Sequence, residues 1–167
     1  MPRTRKPKTT PADATDDPVA AARAQALKLL ARREHARGEL IQKLVARGHD
    51  RAVAGQVLDE LGERGLLSET RFVDHLVGVK AGRGAGPRRI AAELRAKGVA
   101  KADAEAGLAA SDTDWVAECE RARRKRFGEA LPSQPTERAR QMRFLAQRGF
   151  TSEHIRRVLR GDIEEES

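Results

Sequence analysis

The sequence predicts an all-α protein, an elongated, slightly curved array of three tandem three-helix repeats between flexible charged tails. Two observations carry that expectation. Apolar residues recur at helical spacing, and no stretch alternates with the period of two that a half-buried strand requires. Leu44, Leu94 and Leu145 each stand four residues before a glycine, and those glycines, Gly48, Gly98 and Gly149, are 50 and 51 residues apart. Self-similarity at such a period marks stacked modules. The match continues past the glycines, where Leu58, Leu108 and Leu159 lie ten residues further on, with Ala54, Ala104 and Ile155 four positions before them.

Taken in chain order, residues 1–18 carry four basic and three acidic groups without apolar periodicity, which predicts a mobile tail. The first repeat, 19–67, opens with a helix over about 19–35 holding Leu27 and Leu30. Next comes a helix ending at Gly48, a glycine suited to the left-handed C-cap conformation, and then one that Asp50 can cap. The second repeat, 68–111, opens with a helix over about 69–81 carrying Phe72, Leu76 and Val79, and Pro87 suits the first turn of the next helix. In the third, 112–161, a helix over about 114–127 carries Trp115 and Cys119, with Ser111 and Asp114 read as a capping box before it and Thr151 as the cap of the last helix. Residues 162–167 form an acidic tail. Linkers inside the repeats differ: Ala36-Arg37-Gly38, then GRGAGP, then GEALPSQPT, and these are the expected bends.

Composition narrows the function. Of 167 residues, 33 are Lys or Arg and 25 are Asp or Glu, for a net charge of +8. Without the two tails the balance is 29 basic against 18 acidic, so the folded part is the more basic and suits an acidic partner. Four Phe and one Trp are too few for a single-strand binder that grips bases by stacking. Cys119 is the only cysteine, which excludes an internal disulfide and a Cys-rich zinc site. No apolar run is long enough for a membrane span and the N-terminus has no signal-peptide core, so the expected location is the cytoplasm.

Candidate chemistry is sparse. Gly82-Arg83-Gly84-Ala85-Gly86 lacks a preceding strand, the GxGxxG spacing and the Gly-Lys-Ser/Thr of a P-loop, and reads as a flexible hinge before Pro87. His35, His49, His75 and His154 form no HExxH pair, and His35 and His75 read as interior or boundary residues of their helices. No nucleophile stands in a recognisable catalytic context, so no catalysis, cofactor, metal or small-molecule substrate is expected.

Basic residues remain. Arg88 and Arg95 lie nearly opposite Ile90, Ala91 and Leu94 on a helical projection. Arg121, Arg124 and Lys125 share one stripe, and Arg140 and Arg143 oppose Met142 and Leu145. Nine basic residues against three acidic over 120–148 predict a continuous basic face, with ordinary solvation as the alternative. Phe144, off the apolar stripe, is expected to pack rather than to stack on a guanidinium.

A run of short motifs extends from Ala26 to Leu159: Ala26-Leu27, Ala31-Arg32-Arg33-Glu34-His35, Glu39-Leu40 with Lys43-Leu44, Gly65-Leu66-Leu67 and Arg71-Phe72. It continues through Gly86-Pro87-Arg88-Arg89-Ile90 with Leu94 and Gly98, Asp114-Trp115, Phe127-Gly128 with Leu131-Pro132, Arg143-Phe144-Leu145 and Arg148-Gly149-Phe150. No single motif is diagnostic; their order and spacing over three repeats is, and in these the sequence resembles the RecX family. Ala36, Leu66, Ser68 and Glu69 depart from a family pattern of Ser, Tyr and an Asp pair. The resemblance implies a regulator that lies along the groove of the RecA filament on DNA and modulates recombination, ATP hydrolysis and co-protease activity in DNA repair and the SOS response. DNA would be contacted without sequence preference. A direct DNA reader with helix-turn-helix-like units is the alternative, although no unit offers an obvious recognition helix.

Overall fold

A computed structural model of the chain describes residues 17–160. Nine helices and no strand occur among the described residues. They are α1 (Pro18–Leu30), α2 (Arg37–Ala46), α3 (Arg51–Glu63), α4 (Glu69–Gly82), α5 (Pro87–Ala96), α6 (Lys101–Ala110), α7 (Trp115–Phe127), α8 (Pro135–Gln147) and α9 (Ser152–Arg160). The expected mobile tails lie outside the described residues, except that Asp17 and Pro18 belong to the fold. Asp17 caps α1 by accepting a hydrogen bond from the Val19 N–H, and Pro18 fills its first turn.

The described residues divide into two compact units, one of residues 17–33 with Leu40–Leu67, the other of Glu34–Glu39 with residues 68–160. In the first unit α1 packs on α3 through Ala22, Ala26 and Leu29, joined by Leu40, Leu44, Val57, Leu58 and Leu61. Alanines on α1 let the two helices approach closely; of the expected pair, Leu30 packs against this core, whereas Leu27 points outward, 36% exposed, and Leu29 takes the buried place. α1 also ends at Leu30 rather than near residue 35. The reason is that residues 34–39 pack with the second unit, which buries His35 and Ala36 in the linker rather than in a helix. His75 lies within α4 and is exposed.

In the second unit Phe72, Val73, Leu76, Val77, Ile90, Leu94, Val99 and Ala104 form one core cluster. Cys119, Leu145, Phe150, Ile155, Val158 and Leu159 form another. Trp115 is half-buried and packs against both. It therefore links the two clusters instead of filling one.

The Leu-to-Gly spacing has a local cause. Gly48, Gly98 and Gly149 have φ of 90°, 87° and 95°. The N–H of the residue after each glycine donates to the carbonyl of the leucine: His49 to Leu44 at 3.1 Å, Val99 to Leu94 at 3.0 Å and Phe150 to Leu145 at 3.2 Å. This is the Schellman arrangement, which also brings the side chain after the glycine onto the leucine, and Val99 and Phe150 are buried accordingly. Other helix starts are capped by Asp50, Ser68 and Asp114. Asp114 accepts from the Val116 and Ala117 N–H groups by itself, while Ser111 bonds Thr113, so the expected Ser111 and Asp114 box is not formed. Thr151 makes a reciprocal cap in which its hydroxyl accepts from the His154 N–H and its own N–H donates to His154 Nδ1.

The linker before α5 is not a hinge. The Gly86 N–H donates to the Arg148 carbonyl at 2.8 Å and the Arg88 N–H to the Gly149 carbonyl at 3.0 Å. The Arg148 guanidinium donates to the Gly84 and Arg83 carbonyls at 2.9 and 2.8 Å. A Cβ on Gly86 would stand 2.3 Å from Gly149 C and Phe150 N. The loop preceding α5 is thus clasped to the turn ending α8, with two backbones in contact at a place where any side chain would force them apart. A second close approach of this kind brings Gly38 to Gly98, where a Cβ on Gly98 would meet Gly38 Cα at 2.9 Å.

Candidate interaction surface

That clasp fixes α5 beside α8 and α9 and leaves a groove of about 460 Å³ between them. Its floor is apolar, from Met142, Ala146, Phe150, Ile155 and Leu159, and four arginines, Arg88, Arg138, Arg143 and Arg156, stand around it. Arg138 donates to the Leu159 carbonyl at 3.0 Å and so ties down the end of α9. Arg88, Arg143 and Arg156 are exposed and have no carboxylate within ion-pair distance among the described residues.

Of the residues expected to form one basic face, the groove brings Arg88 and Arg143 together. Arg95, at the far end of α5, and Lys125, on α7, are exposed and likewise lack an ion pair among the described residues. The remaining three are already engaged by nearby carboxylates. Arg121 pairs with Glu118, Arg124 with Glu120 at 2.6 Å and Glu129 at 3.3 Å, and Arg140 with Glu137 at 3.5 Å. Met142 does not oppose Arg143 as a core residue. It is 46% exposed and shares the groove with it. Phe144 packs edge-on against Phe127 with ring centroids 5.2 Å apart, and the Arg126 and Arg140 guanidinium groups lie over the Phe127 ring at 5.3 and 5.5 Å.

Sequence reasoning missed Arg138 and Arg156, although the apolar stripe of α9 through Ile155, Val158 and Leu159 leaves Arg156 on its flank. It also missed Arg123. That side chain is fully buried, pairs with both oxygens of Glu120 at 2.8 and 2.9 Å, and donates to the Gly128, Glu129 and Ala130 carbonyls. Burial pushes the Glu120 carboxyl up, but hydrogen bonds from Arg123 and Arg124 outweigh it and hold the group below its ordinary value. Arg123 is therefore a structural bolt for the loop after α7, not part of a binding face.

Cys119 and His154 are perturbed as well. Burial pushes the Cys119 thiol up to about 12, so it is an inert core residue. Burial, with Arg157 and Arg88 adding to it, holds His154 below its ordinary value. No group of three or more His, Cys, Asp or Glu among the described residues could hold a metal ion, and no helix among them is long and apolar enough to cross a membrane.

Fold and surface together define a tandem helical-repeat protein with an arginine-rimmed groove built across its last two repeats. Comparison with known proteins gives the family. Models described as the first, second and third three-helix domains of RecX match residues 22–61, 68–108 and 112–159. The regulatory protein RecX of Halorhodospira halophila is 47% identical over 136 residues, 81% of this chain and 84% of its own. That of Pseudomonas entomophila is 43% identical over 87% of this chain and 94% of its own. In fold, the chain is similar to the crystal structure of RecX from Lactobacillus salivarius, with a TM-score of 0.76 over 87% of this chain and 96% of that one at 19% identity. The chain belongs to the RecX family of regulatory proteins.

Proposed function

We propose that this chain binds a RecA recombinase filament assembled on DNA and modulates it, mostly by inhibition of its recombinase, ATPase and co-protease activities, in DNA repair and the SOS response. It acts in the cytoplasm as a binding protein, without catalysis, cofactor or small-molecule substrate of its own. The observation that carries the reading is the groove, where Arg88, Arg143 and Arg156 remain unpaired among the described residues while Arg121, Arg124 and Arg140 have carboxylate partners. Unpaired guanidinium groups are the ones that gain most from an external anion. Arg88, Arg95, Lys125 and Arg143 carry the contact to filament and DNA, and Arg121, Arg124 and Arg140 add less because each must first leave its own partner.

The working units are repeats 19–67, 68–111 and 112–161. Leu44, Gly48, Leu94, Gly98, Trp115, Leu145 and Gly149 hold the repeats in shape and touch no partner. Several modest contacts on linked repeats add through effective concentration, so affinity for an assembled filament exceeds that for a single subunit.

Co-sedimentation with RecA, with and without nucleotide and single-stranded DNA, tests this. The chain pellets only where filaments form. Equal recovery with naked DNA, selective for sequence and weakly dependent on salt, would instead make it a direct DNA reader, because phosphate contacts alone are steeply salt-dependent.

A further inference from the structure

The groove has a floor that a phosphate backbone does not use. Met142 and Ala146 stand one turn apart on α8, Ile155 and Leu159 stand one turn apart on α9, and Phe150 lies in the turn between the two helices. Where this floor is accessible it is aliphatic: Met142 is 46% exposed and Ala146 is exposed, whereas the Phe150 ring, 1% exposed, offers no face to a base. Single strands are gripped by stacking on aromatic faces, which the groove does not present. Covering an aliphatic floor is favourable for a ligand that brings apolar side chains of its own.

Three helices each add one guanidinium without a carboxylate partner among the described residues, Arg88 from α5, Arg143 from α8 and Arg156 from α9. We propose that the groove seats an amphipathic helix of a partner protein, with aliphatic side chains at one-turn spacing on the floor and carboxylates on its flanks against Arg88, Arg143 and Arg156. The spacing follows from the two apolar pairs of the floor, which match the i, i+4 anchors of a helix laid in a groove. The charge follows from the rim, because a guanidinium pairs a carboxylate bidentately. A volume of about 460 Å³ holds the apolar ridge of such a helix and leaves its polar side in solvent. The inference rests on the reading that the groove arginines contact the filament, and it narrows that contact to the filament's protein. DNA is then left to basic residues outside the groove, Arg95 and Lys125.

The test uses the full chain alone, with a fluorescein-labelled helical peptide that carries leucines at one-turn spacing flanked by glutamates, read by anisotropy. The peptide binds, and versions with serine in place of leucine, or glutamine in place of glutamate, each bind about tenfold more weakly or worse. Met142→Gln with Ala146→Gln, a change at two exposed positions, weakens the peptide about tenfold and leaves the affinity for a thymine-only single strand unchanged. No binding of the peptide, or equal binding of its serine version, overturns the proposal. A strand that displaces the peptide and itself loses affinity in Met142→Gln with Ala146→Gln overturns it too, and makes the groove a DNA site. RecA is absent from this assay, so the two readings fail separately: a peptide that binds while the chain ignores filaments sinks only the choice of RecA as partner, and filament binding without peptide binding sinks only the helix in the groove.

Discussion

Replacing Gly86 with alanine isolates the clasp between the second and third repeats. The backbone at Gly86 is extended, with φ of −82° and ψ of 168°, so alanine fits it without strain and any effect is steric. The added Cβ would stand 2.3 Å from Gly149 C and Phe150 N, where ordinary contact is about 3.5 Å, so the two backbones must part by roughly 1 Å. Bonds of 2.8 and 3.0 Å from the Gly86 and Arg88 N–H groups then exceed hydrogen-bonding distance, and the Arg148 contacts to Arg83 and Gly84 lengthen with them. Two backbone bonds at about 1 kcal/mol each, with about 1 to 2 kcal/mol for the partly exposed Arg148 pair, give about 3 kcal/mol. Amide hydrogen exchange at Arg88 should accelerate about 100-fold while amides in the middle of α3 keep their rates. Gly48→Ala is the companion variant. Its φ is 90° with nothing within 4 Å, so it costs about 1 to 2 kcal/mol through backbone strain and leaves Arg88 exchange unchanged. Wild-type exchange at Arg88 in Gly86→Ala would refute the clasp.

Arg123→Met strands the buried Glu120 and three loop carbonyls, and should cost about 3 to 5 kcal/mol in urea denaturation; Arg124→Met, at an exposed side chain, should change the midpoint far less. Trp115→Ala removes a half-buried ring and should cost about 2 kcal/mol, below the roughly 3 to 5 of a fully buried one, while loosening amides in both α4 and α7. His154 accepts from the Thr151 N–H and so stays neutral when folded. With its pKa held below the unfolded value of about 6.5, the folded state binds fewer protons than the unfolded one. Its contribution is therefore fully present above that pH and lost as pH falls below it. Urea midpoints at pH 7.5 and 5.5 should differ, and His154→Gln should shrink that difference; an equal difference in the variant would contradict the neutral cap.

What the sequence could show was what neighbours in the chain decide. The three Leu-to-Gly intervals were legible because a Schellman turn is closed by residues within one helical turn, and the Asp50 and Thr151 caps for the same reason. The clasp was not, because Gly86 meets Gly149 across a long interval and nothing local distinguishes a glycine that bends from one that lets two backbones touch. Arg123 was hidden likewise. Its partners include carbonyls of the following loop, so on a helical projection it counts as one more basic residue in a basic stretch. The basic face was read from helical angle alone, which cannot show that Glu118, Glu120 and Glu137 engage three of its members.

The account rests most heavily on the unpaired arginines of the groove, and one measurement reaches them directly. Co-sedimentation with RecA filaments on single-stranded DNA is compared for wild type, for Arg88→Glu with Arg143→Glu, and for Arg51→Glu with Arg64→Glu, two exposed positions of the first unit that give the same change in charge. All three should show equal helicity and similar midpoints, as surface changes away from the core do. The account predicts that the groove pair loses affinity by about tenfold or more, at least 1.4 kcal/mol, and that the control pair binds nearly as wild type. Equal loss in both pairs would reduce the effect to net charge, and no loss in the groove pair would contradict the groove as the contact.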